Sequence, residues 1–560
     1  MRNYRDIYEF WKNDSFFDEQ TRAELAAISD EKEIEERFYR DLSFGTGGLR
    51  GIIGAGSNRM NRYTVRRAST GFARFLLDKF GEDAKKRGVA IARDSRNFSA
   101  EFAEETALTM CAMGIPAYLF DELSSTPLLS FTVRELGCVG GVVITASHNP
   151  KEYNGYKAYD ETGCQLGVAD ADAVIRCVDA TEMTSTRLMD KSEALNKGLL
   201  HILGNDIVEK YLEAVQEQAH ETDPAAKAAL KIVYTPLHGC GNYPVREVLR
   251  RQAYSSVSVV EAQCVPDGNF PTVTSPNPEE KSALEMALAQ ARAESAELVL
   301  ATDPDSDRIG IAVRDGEDFR LISGNQVGAL LVDYVLTRRA ERITPKTRLI
   351  TTIVTSEFGR AAAALHGVKT DLVLTGFKHI CGRMNEYAAN GEAVPFMGYE
   401  ESYGYLVGSY ARDKDGILSA MLIAEMTAYY ASLGKTLCDV LKELYAKTGY
   451  YLDTQSNYYF HGKEGAEKIS AMNDKLRRMG KDLMPGIVEI KDYEAGIDGL
   501  PPSDVLKYFF EDGSWLAIRP SGTEPKIKIY YCMHAENREA AEDLLKDKKL
   551  RMDAFVDSFR

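Results

Sequence analysis

Gly140-Gly141-Val142-Val143-Ile144-Thr145-Ala146-Ser147-His148-Asn149-Pro150 is an apolar run that stops at a polar loop. Short β-branched residues read as a buried strand, and Pro150 closes a turn behind it. The same event recurs along the chain. Leu298-Val299-Leu300 runs into Asp303-Pro304-Asp305-Ser306-Asp307-Arg308, Val394 to Tyr399 runs into Glu400, and Trp515-Leu516-Ala517-Ile518 runs into Arg519. In α/β sheets, ligands bind beyond the carboxyl ends of strands. Four strand ends carrying hydroxyls, carboxylates or arginine therefore predict loops that gather at one cleft.

The segments between these ends support an α/β chain. Val89-Ala90-Ile91-Ala92 precedes a helical pattern over 102–110, and Leu230 to Tyr234 precedes one over 244–252. A helical pattern over 280–294 leads into Leu298, and Arg348 to Ile353 leads into 357–365. Strands alternating with amphipathic helices make layered, wound sheets. Residues 1–40 read as helical, with Ile7, Phe10 and Trp11 on one stripe, and Gly45 to Gly51 reads as a turn. Beyond residue 450 the pattern changes. Strand-like runs (450–454, 515–518, 527–531) and helix-like runs (465–479, 537–548) come in clumps, which predicts a separate α+β domain.

A chain of 560 residues holds three or four domains. A net charge of −16 argues against a general nucleic-acid binder, while leaving room for a local cationic cleft. No run approaches the roughly 18 apolar residues of a membrane span. Nine cysteines, none in a C-x-x-C pair, suggest neither a disulfide framework nor a zinc site. The expected compartment is the cytoplasm, with no nucleic-acid or membrane partner; oligomeric state has no signal.

Two segments carry the chemistry. Ser147 offers a hydroxyl on a strand-end loop, outside any G-x-S-x-G elbow. His148 is adjacent, but neighbouring side chains generally diverge, so no dyad is expected. Asn154-Gly155-Tyr156-Lys157 adds a cation nearby, and a plain turn closed by Pro150 is the alternative. Asp303, Asp305 and Asp307 stand at alternate positions and repel one another without a cation, which suits Mg²⁺. An EF-hand is excluded, because Arg308 holds its glycine position and Arg314 its glutamate position. A solvated acidic loop is the alternative.

Two nucleotide motifs fail at named residues. A G-x-G-x-x-G frame from Gly45 meets Arg50, and the P-loop-like Gly434-Lys435-Thr436 has Tyr429 where a glycine is needed. Arg519-Pro520-Ser521-Gly522-Thr523 combines a guanidinium, two hydroxyls and a glycine, which makes a metal-free phosphate pocket.

In this order, the segments resemble the α-D-phosphohexomutase superfamily from Gly45 to Tyr530. Gly398-Tyr399-Glu400-Glu401-Ser402-Tyr403-Gly404 and Tyr234-Thr235-Pro236-Leu237-His238-Gly239 resemble its phosphoglucomutase and phosphopentomutase branch. The resemblance implies four domains around a central cleft, three similar mixed α/β domains and a C-terminal α+β domain. Their expected borders are 1–206, 207–321, 322–446 and 447–560. It implies a phosphoserine at Ser147 and Mg²⁺ held by Asp303, Asp305 and Asp307 and touching Ser147. It places Arg50, His148, Lys157, Arg308 and Lys414 around the transferring phosphate, with Lys157 or Lys414 handling protons. Thr375 and Gly376 would select substrate orientation, and Glu400 and Ser402 would bind sugar hydroxyls. Arg519, Ser521, Gly522 and Thr523 would hold the idle phosphate. Gly47 stands where the family often has serine, and Ser306 where it often has a small apolar residue or glycine. The implied reaction interconverts glucose 1-phosphate and glucose 6-phosphate through glucose 1,6-bisphosphate. Mannose or pentose phosphates, an aspartyl-phosphate phosphatase and a sugar-phosphate sensor are the alternatives.

Overall fold

The computed structural model describes residues 3–45, 47–460, 462–520 and 526–559, so Ser521, Gly522 and Thr523 lie outside the described residues. The chain forms two compact units. The first holds 1–322, 384–389 and 403–433, and the second holds 323–383, 390–402 and 434–560. The stretch 403–433 falls within the segment expected to bind sugar, yet it packs into the first unit.

Three short helices open the first unit: Tyr4–Asn13, Glu19–Ala26 and Glu31–Phe38. Each begins on an Asn or Asp (Asn3, Asp18, Asp30) whose side chain accepts a backbone N–H. Helices this short need packing to persist. They bury Tyr8, Trp11, Phe17, Leu25, Ile34 and Phe38 in one cluster, where Trp11 stacks on Phe17 at 4.3 Å. The expected stripe is corrected here. Tyr8 rather than Phe10 faces the core, because its hydroxyl can donate to Leu25 O at 3.1 Å, and Phe10 remains 40% exposed.

The first sheet contains β1 (Gly48–Ile52), β2 (Val89–Arg93), β3 (Ala117–Phe120), β4 (Gly140–Ile144), β5 (Tyr153–Tyr159) and β6 (Leu200–Leu203), in the order β1-β5-β4-β2-β3-β6. The β2, β3, β4 and β6 pairings are parallel, whereas β5 runs antiparallel to both β1 and β4. Strand β4 is buried throughout, as its apolar run predicts. The turn expected over 45–51 is shorter than that. Gly48 already begins β1, with φ of 115°, and a Cβ there would fall 1.8 Å from Tyr156 O. That contact lets the edge strand close onto β5.

The second sheet is ordered β11-β10-β9-β7-β8. Its strands are β7 (Ile232–Thr235), β8 (Val257–Val259), β9 (Leu298–Thr302), β10 (Ile309–Asp315) and β11 (Asp318–Ile322). Strands β9 and β10 are antiparallel with Thr302 opposite Ile309, so 303–308 is a hairpin loop. In the second unit β12 (Thr347–Thr352) lies parallel between β13 (Lys369–Val373) and β14 (Val394–Glu400). The chain then supplies β15 (Gly404–Val407) to the first unit.

The last segment is an antiparallel sheet, β16-β20-β19-β18-β17. It comprises β16 (Tyr450–Tyr459), β17 (Ile487–Asp492), β18 (Leu506–Phe510), β19 (Trp515–Pro520) and β20 (Lys526–Ala535), with helices Gly462–Met479 and Arg538–Asp557. Alternation in the first three segments and clumping in the last therefore match α/β and α+β architectures. Strand β17 carries three charged residues in six and a register shift against β18, which hides its alternation in the sequence. None of the nine cysteines forms a disulfide, and no single helix among the described residues is long and apolar enough to cross a membrane.

Trp11→Ala is expected to lower the stability of the N-terminal helices by about 3–5 kcal/mol, the usual cost of emptying a buried indole site. Limited proteolysis should then cut residues 4–38 far faster than in the parent protein. Equal cleavage rates would mean that the helices do not depend on this cluster.

Candidate active site

Ser147 sits three residues beyond β4 with φ of 51°. A serine in the left-handed region is uncommon and persists only where its surroundings hold it. Thr145 Oγ1 accepts the Ser147 N–H at 2.8 Å, and the serine is buried. This backbone twist has a chemical result. Ser147 Oγ donates to Asp303 Oδ2 at 2.7 Å and lies 3.1 Å from His148 Nδ1. The two neighbouring side chains converge rather than diverge, which corrects the expectation for His148. Burial, with Arg308 and Arg50 nearby, pushes the His148 imidazole well below its ordinary range, so the ring is neutral.

The acidic hairpin loop meets Ser147 from the second sheet. Ser306 takes φ of 55° and curls the loop, and Asp303 O accepts the Ser306 N–H at 2.9 Å. All three aspartates are buried, and one carboxylate oxygen from each lies within 4.8 Å of the others. Cations from distant segments offset them. Lys157 Nζ on β5 donates to Asp305 Oδ2 at 2.6 Å and Asp307 Oδ2 at 3.1 Å, and Lys414 Nζ lies 3.0 Å from Asp307 Oδ2. The stem of Lys414 passes Gly404 so closely that a Cβ there would fall 2.3 Å from its Cδ.

The balance is uneven. Burial, followed by repulsion from Asp305 and Asp307, raises the Asp303 carboxyl well above the carboxylate range. Burial acts in the same sense on Asp307, but Lys157, Lys414 and Arg308 together hold it well below that range. The buried Asp305 Oδ1 and Asp307 Oδ1 accept no hydrogen bond among the described residues. Mutually repelling carboxylates with unused lone pairs fit a hard, oxygen-seeking divalent cation. The residues are therefore able to hold a metal.

Arg308 Nη1 lies 2.5 Å from Glu279 Oε1, and its Nε lies 3.8 Å from Asp307 Oδ1. Arg50, on β1, donates through Nη1 to Asn149 Oδ1 at 3.2 Å. The first unit thus gathers Ser147, His148, Lys157, Asp303, Asp305, Asp307 and Lys414, with Arg50 and Arg308 at the edges.

The second unit carries the remaining candidates. Thr375 and Gly376 follow β13, Gly376 with φ of 114°, and the Thr375 hydroxyl is buried with no hydrogen-bond partner among the described residues. Glu400 is buried at the end of β14, while Ser402 is half-buried. Glu401 Oε2 accepts from Thr355 Oγ1 at 3.1 Å, which ties that carboxylate to the protein. Arg519 is the penultimate residue of β19, opposite Lys528. Burial, with Lys378 and Arg519 nearby, brings the His379 imidazole down to about 4. Cations therefore converge where β19 and the Phe377–Asn390 helix begin or end.

Three participants escaped the sequence reading. Thr126 Oγ1 donates to Asp305 Oδ2 at 2.8 Å, Glu279 pairs with Arg308, and Arg96 binds the backbone of the serine loop. Thr126 is legible only as the start of a helix capped by Ser125. Asp94-Ser95-Arg96 follows β2, and this further strand end with charged residues was the available signal.

Comparison with known proteins finds matches along most of the chain. The phosphoglucomutase/phosphomannomutase family matches in four consecutive segments: α/β/α domain I over 41–185, domain II over 209–316, domain III over 323–448 and the C-terminal domain over 464–547. A phosphoglucomutase of Staphylococcus haemolyticus is 37% identical over 555 residues, covering 96% of this chain and 97% of that protein. Parafusin of Paramecium, a phosphoglucomutase solved in an open form, superimposes with a TM-score of 0.70 at 20% identity, covering 93% of this chain and 96% of that one. A phosphoglucomutase/phosphomannomutase family protein of Burkholderia thailandensis gives 0.67 at 21% identity, covering 90% and 96%. At these identities the two structures speak to the fold.

Asp305→Asn removes one charge from the carboxylate trio while keeping an acceptor for Lys157 and Thr126. Mg²⁺ affinity, measured by calorimetry, is expected to fall by at least about tenfold. An unchanged titration would exclude this loop as the metal site.

Proposed function

The chain belongs to the phosphoglucomutase/phosphomannomutase family and is a phosphohexomutase enzyme, and from that premise we propose that it interconverts glucose 1-phosphate and glucose 6-phosphate through a phosphoserine at Ser147. The carrying observation is the 2.7 Å contact between Ser147 Oγ and Asp303 Oδ2, at the rim of a buried carboxylate trio balanced by two lysines. We assign 1–206 to the serine, 207–321 to the metal, 322–446 to the sugar and 447–560 to the idle phosphate. The nine cysteines without a disulfide support a reducing, cytoplasmic setting.

In the proposed cycle, the P–O bond to Ser147 Oγ breaks as one forms to the sugar 6-oxygen. The sugar hydroxyl proton is given up, and Ser147 Oγ gains one. The product is glucose 1,6-bisphosphate, which turns over and returns its other phosphoryl group to Ser147. His148, neutral and 3.1 Å from Ser147 Oγ, is within reach of the serine proton. Burial opposes charge on Lys157, but Asp305 and Asp307 raise its affinity for the proton, so it acts as a cation beside the transferring group. Lys414 and Arg308 add charge on the Asp307 side, and Arg50 on the Asn149 side. Mg²⁺, held by Asp303, Asp305 and Asp307, would neutralise charge on the phosphoryl oxygens.

Glu400 and Ser402 bind sugar hydroxyls in this reading, and Thr375 and Gly376 set the orientation. Arg519, with Ser521, Gly522 and Thr523, grips the phosphate that is not reacting. The choice of glucose rests on likeness to the Staphylococcus haemolyticus relative, a phosphoglucomutase. A coupled assay with glucose, mannose and ribose 1-phosphates, each with a trace of its bisphosphate, should give the highest kcat/KM for glucose. A higher value for another sugar would reassign the substrate.

Ser147→Ala is expected to abolish turnover by several orders of magnitude, and the parent protein should carry one acid-stable phosphate mapping to Ser147. Full activity in the variant, or a hydroxylamine-sensitive phosphate, would point to an aspartyl carrier instead. Sugar-phosphate binding without turnover would point to a sensor.

Arg519→Ala should separate orientation from chemistry. Losing a charge-assisted contact to phosphate costs about 2–3 kcal/mol, so KM for the sugar phosphate should rise roughly 30- to 150-fold. Slow transfer to free glucose, which has no second phosphate, should be nearly unaffected. Equal losses with both acceptors would remove Arg519 from the distal pocket.

A further inference from the structure

The carbonyl groups of Ala146 to Pro150 in the serine loop have donors, and most of those donors belong to one side chain. Asn149 N–H donates to Ala146 O at 3.1 Å, and Ser275 Oγ donates to His148 O at 3.0 Å. Arg96 takes the rest. Its Nη2 donates to Ser147 O and Asn149 O, each at 2.5 Å, and its Nη1 donates to Pro150 O at 2.9 Å and Tyr153 O at 3.0 Å. Five consecutive carbonyls, from Ala146 to Pro150, are thereby occupied.

Arg96 is itself held rigidly. It is 3% exposed, and its Nε lies 3.3 Å from Asp94 Oδ2. The other Asp94 oxygen accepts from the Arg96 N–H at 3.0 Å and from Ser99 Oγ at 2.8 Å. The guanidinium carbon lies 5.0 Å from the centre of the Phe270 ring, which comes from the second-sheet segment. The donors that shape the loop therefore come from both α/β segments of the first unit: Arg96 from one, Ser275 and the Phe270 cover from the other.

Carbonyl oxygens carry partial negative charge, and a phosphoryl group on Ser147 would carry nearly two negative charges. A loop whose carbonyls faced that group would repel it. A loop whose carbonyls are bound to a guanidinium presents the serine hydroxyl instead, and the left-handed Ser147 backbone is part of the same arrangement.

We propose that Arg96 is a positioning residue for phosphoryl transfer: by holding three loop carbonyls and that of Tyr153 at the start of β5 it aims Ser147 Oγ at the acidic loop and keeps the carbonyl dipoles off the phosphoryl group. The proposal rests on Ser147 being the phosphoryl carrier. Lysine cannot take over the role, because it has three donors around a point charge, where arginine has five in a planar fork.

The test compares Arg96→Lys, Arg96→Ala and Ser275→Ala with the parent enzyme. It reads kcat, KM for glucose 1-phosphate, Mg²⁺ affinity, and the single-turnover rate at which labelled phosphoenzyme passes its phosphate to substrate. In Arg96→Lys, kcat and the single-turnover rate are expected to fall on the order of 100-fold, the usual consequence of an ångström-scale misplacement of a reacting group. KM and Mg²⁺ affinity should stay within about threefold, because neither the distal pocket nor the aspartates are touched. Methylguanidine should raise the rate of Arg96→Ala, and methylammonium should not. Should neither arginine variant fold, Ser275→Ala decides, with a slower transfer step at unchanged KM expected. A parent-like transfer rate in Arg96→Lys, or in Ser275→Ala when it alone folds, would overturn the proposal, as would KM rising in step with the loss of kcat. Absence of phosphate on Ser147 in the parent enzyme would instead remove the underlying reading, and the two failures are distinct.

Discussion

Three carboxylates buried in one hairpin loop are the constraint on which the site depends. Asp303, Asp305 and Asp307 leave water together and repel one another, so each must be met by a cation, a hydrogen bond or a proton. Lys157 and Lys414 supply the charge, Thr126 and Ser147 supply hydroxyl donors, and Asp303 takes the unfavourable remainder as a raised proton affinity. These partners come from β5, from the loop after β4, from the loop before the Gly416–Ser432 helix, and from the start of the Thr126–Glu135 helix. Satisfying one short acidic loop therefore requires most of the first unit to be folded around it.

The sheets make this possible by ending at the right places. The loop after β4 and the hairpin between β9 and β10 each contain one serine in the left-handed region, Ser147 at 51° and Ser306 at 55°. Both are held by hydrogen bonds within their own loops, through Thr145 Oγ1 and Asp303 O. Such conformations are costly alone and become reliable when tertiary contacts fix them. Chemistry on strand-end loops and stability in the buried strands are thus divided between different residues.

Misreadings in the sequence have two causes. Gly45 to Gly51 looked like a turn, yet Gly48 onward is an edge strand, because only glycine fits against Tyr156 O. Phe10 looked like a core residue and Tyr8 did not, although a buried tyrosine needs only one acceptor, here Leu25 O. Strand β17 was passed over because its apolar alternation is interrupted by Glu489, Lys491 and Asp492. In the first two cases local composition was outweighed by a contact with a distant segment.

The sequence by itself determined the kind of chemistry and the architecture that carries it. Apolar runs ending in Ser147, in the Asp303–Asp307 trio and in Arg519 announce α/β strand ends bearing a hydroxyl, metal-type ligands and a phosphate-type cation, and periodicity separates these layers from the C-terminal α+β segment. Only the tertiary structure decided which cation meets which carboxylate, that Ser147 and His148 converge, that residues 403–433 carry Lys414 into the first unit, and that Arg96 holds the serine loop. Periodicity and residue type are local properties, readable within a few turns of chain. Charge compensation in a buried loop and the orientation of backbone carbonyls depend on residues far apart in sequence, such as Lys157 and Asp307, 150 positions apart, whose encounter exists only once the sheets have packed.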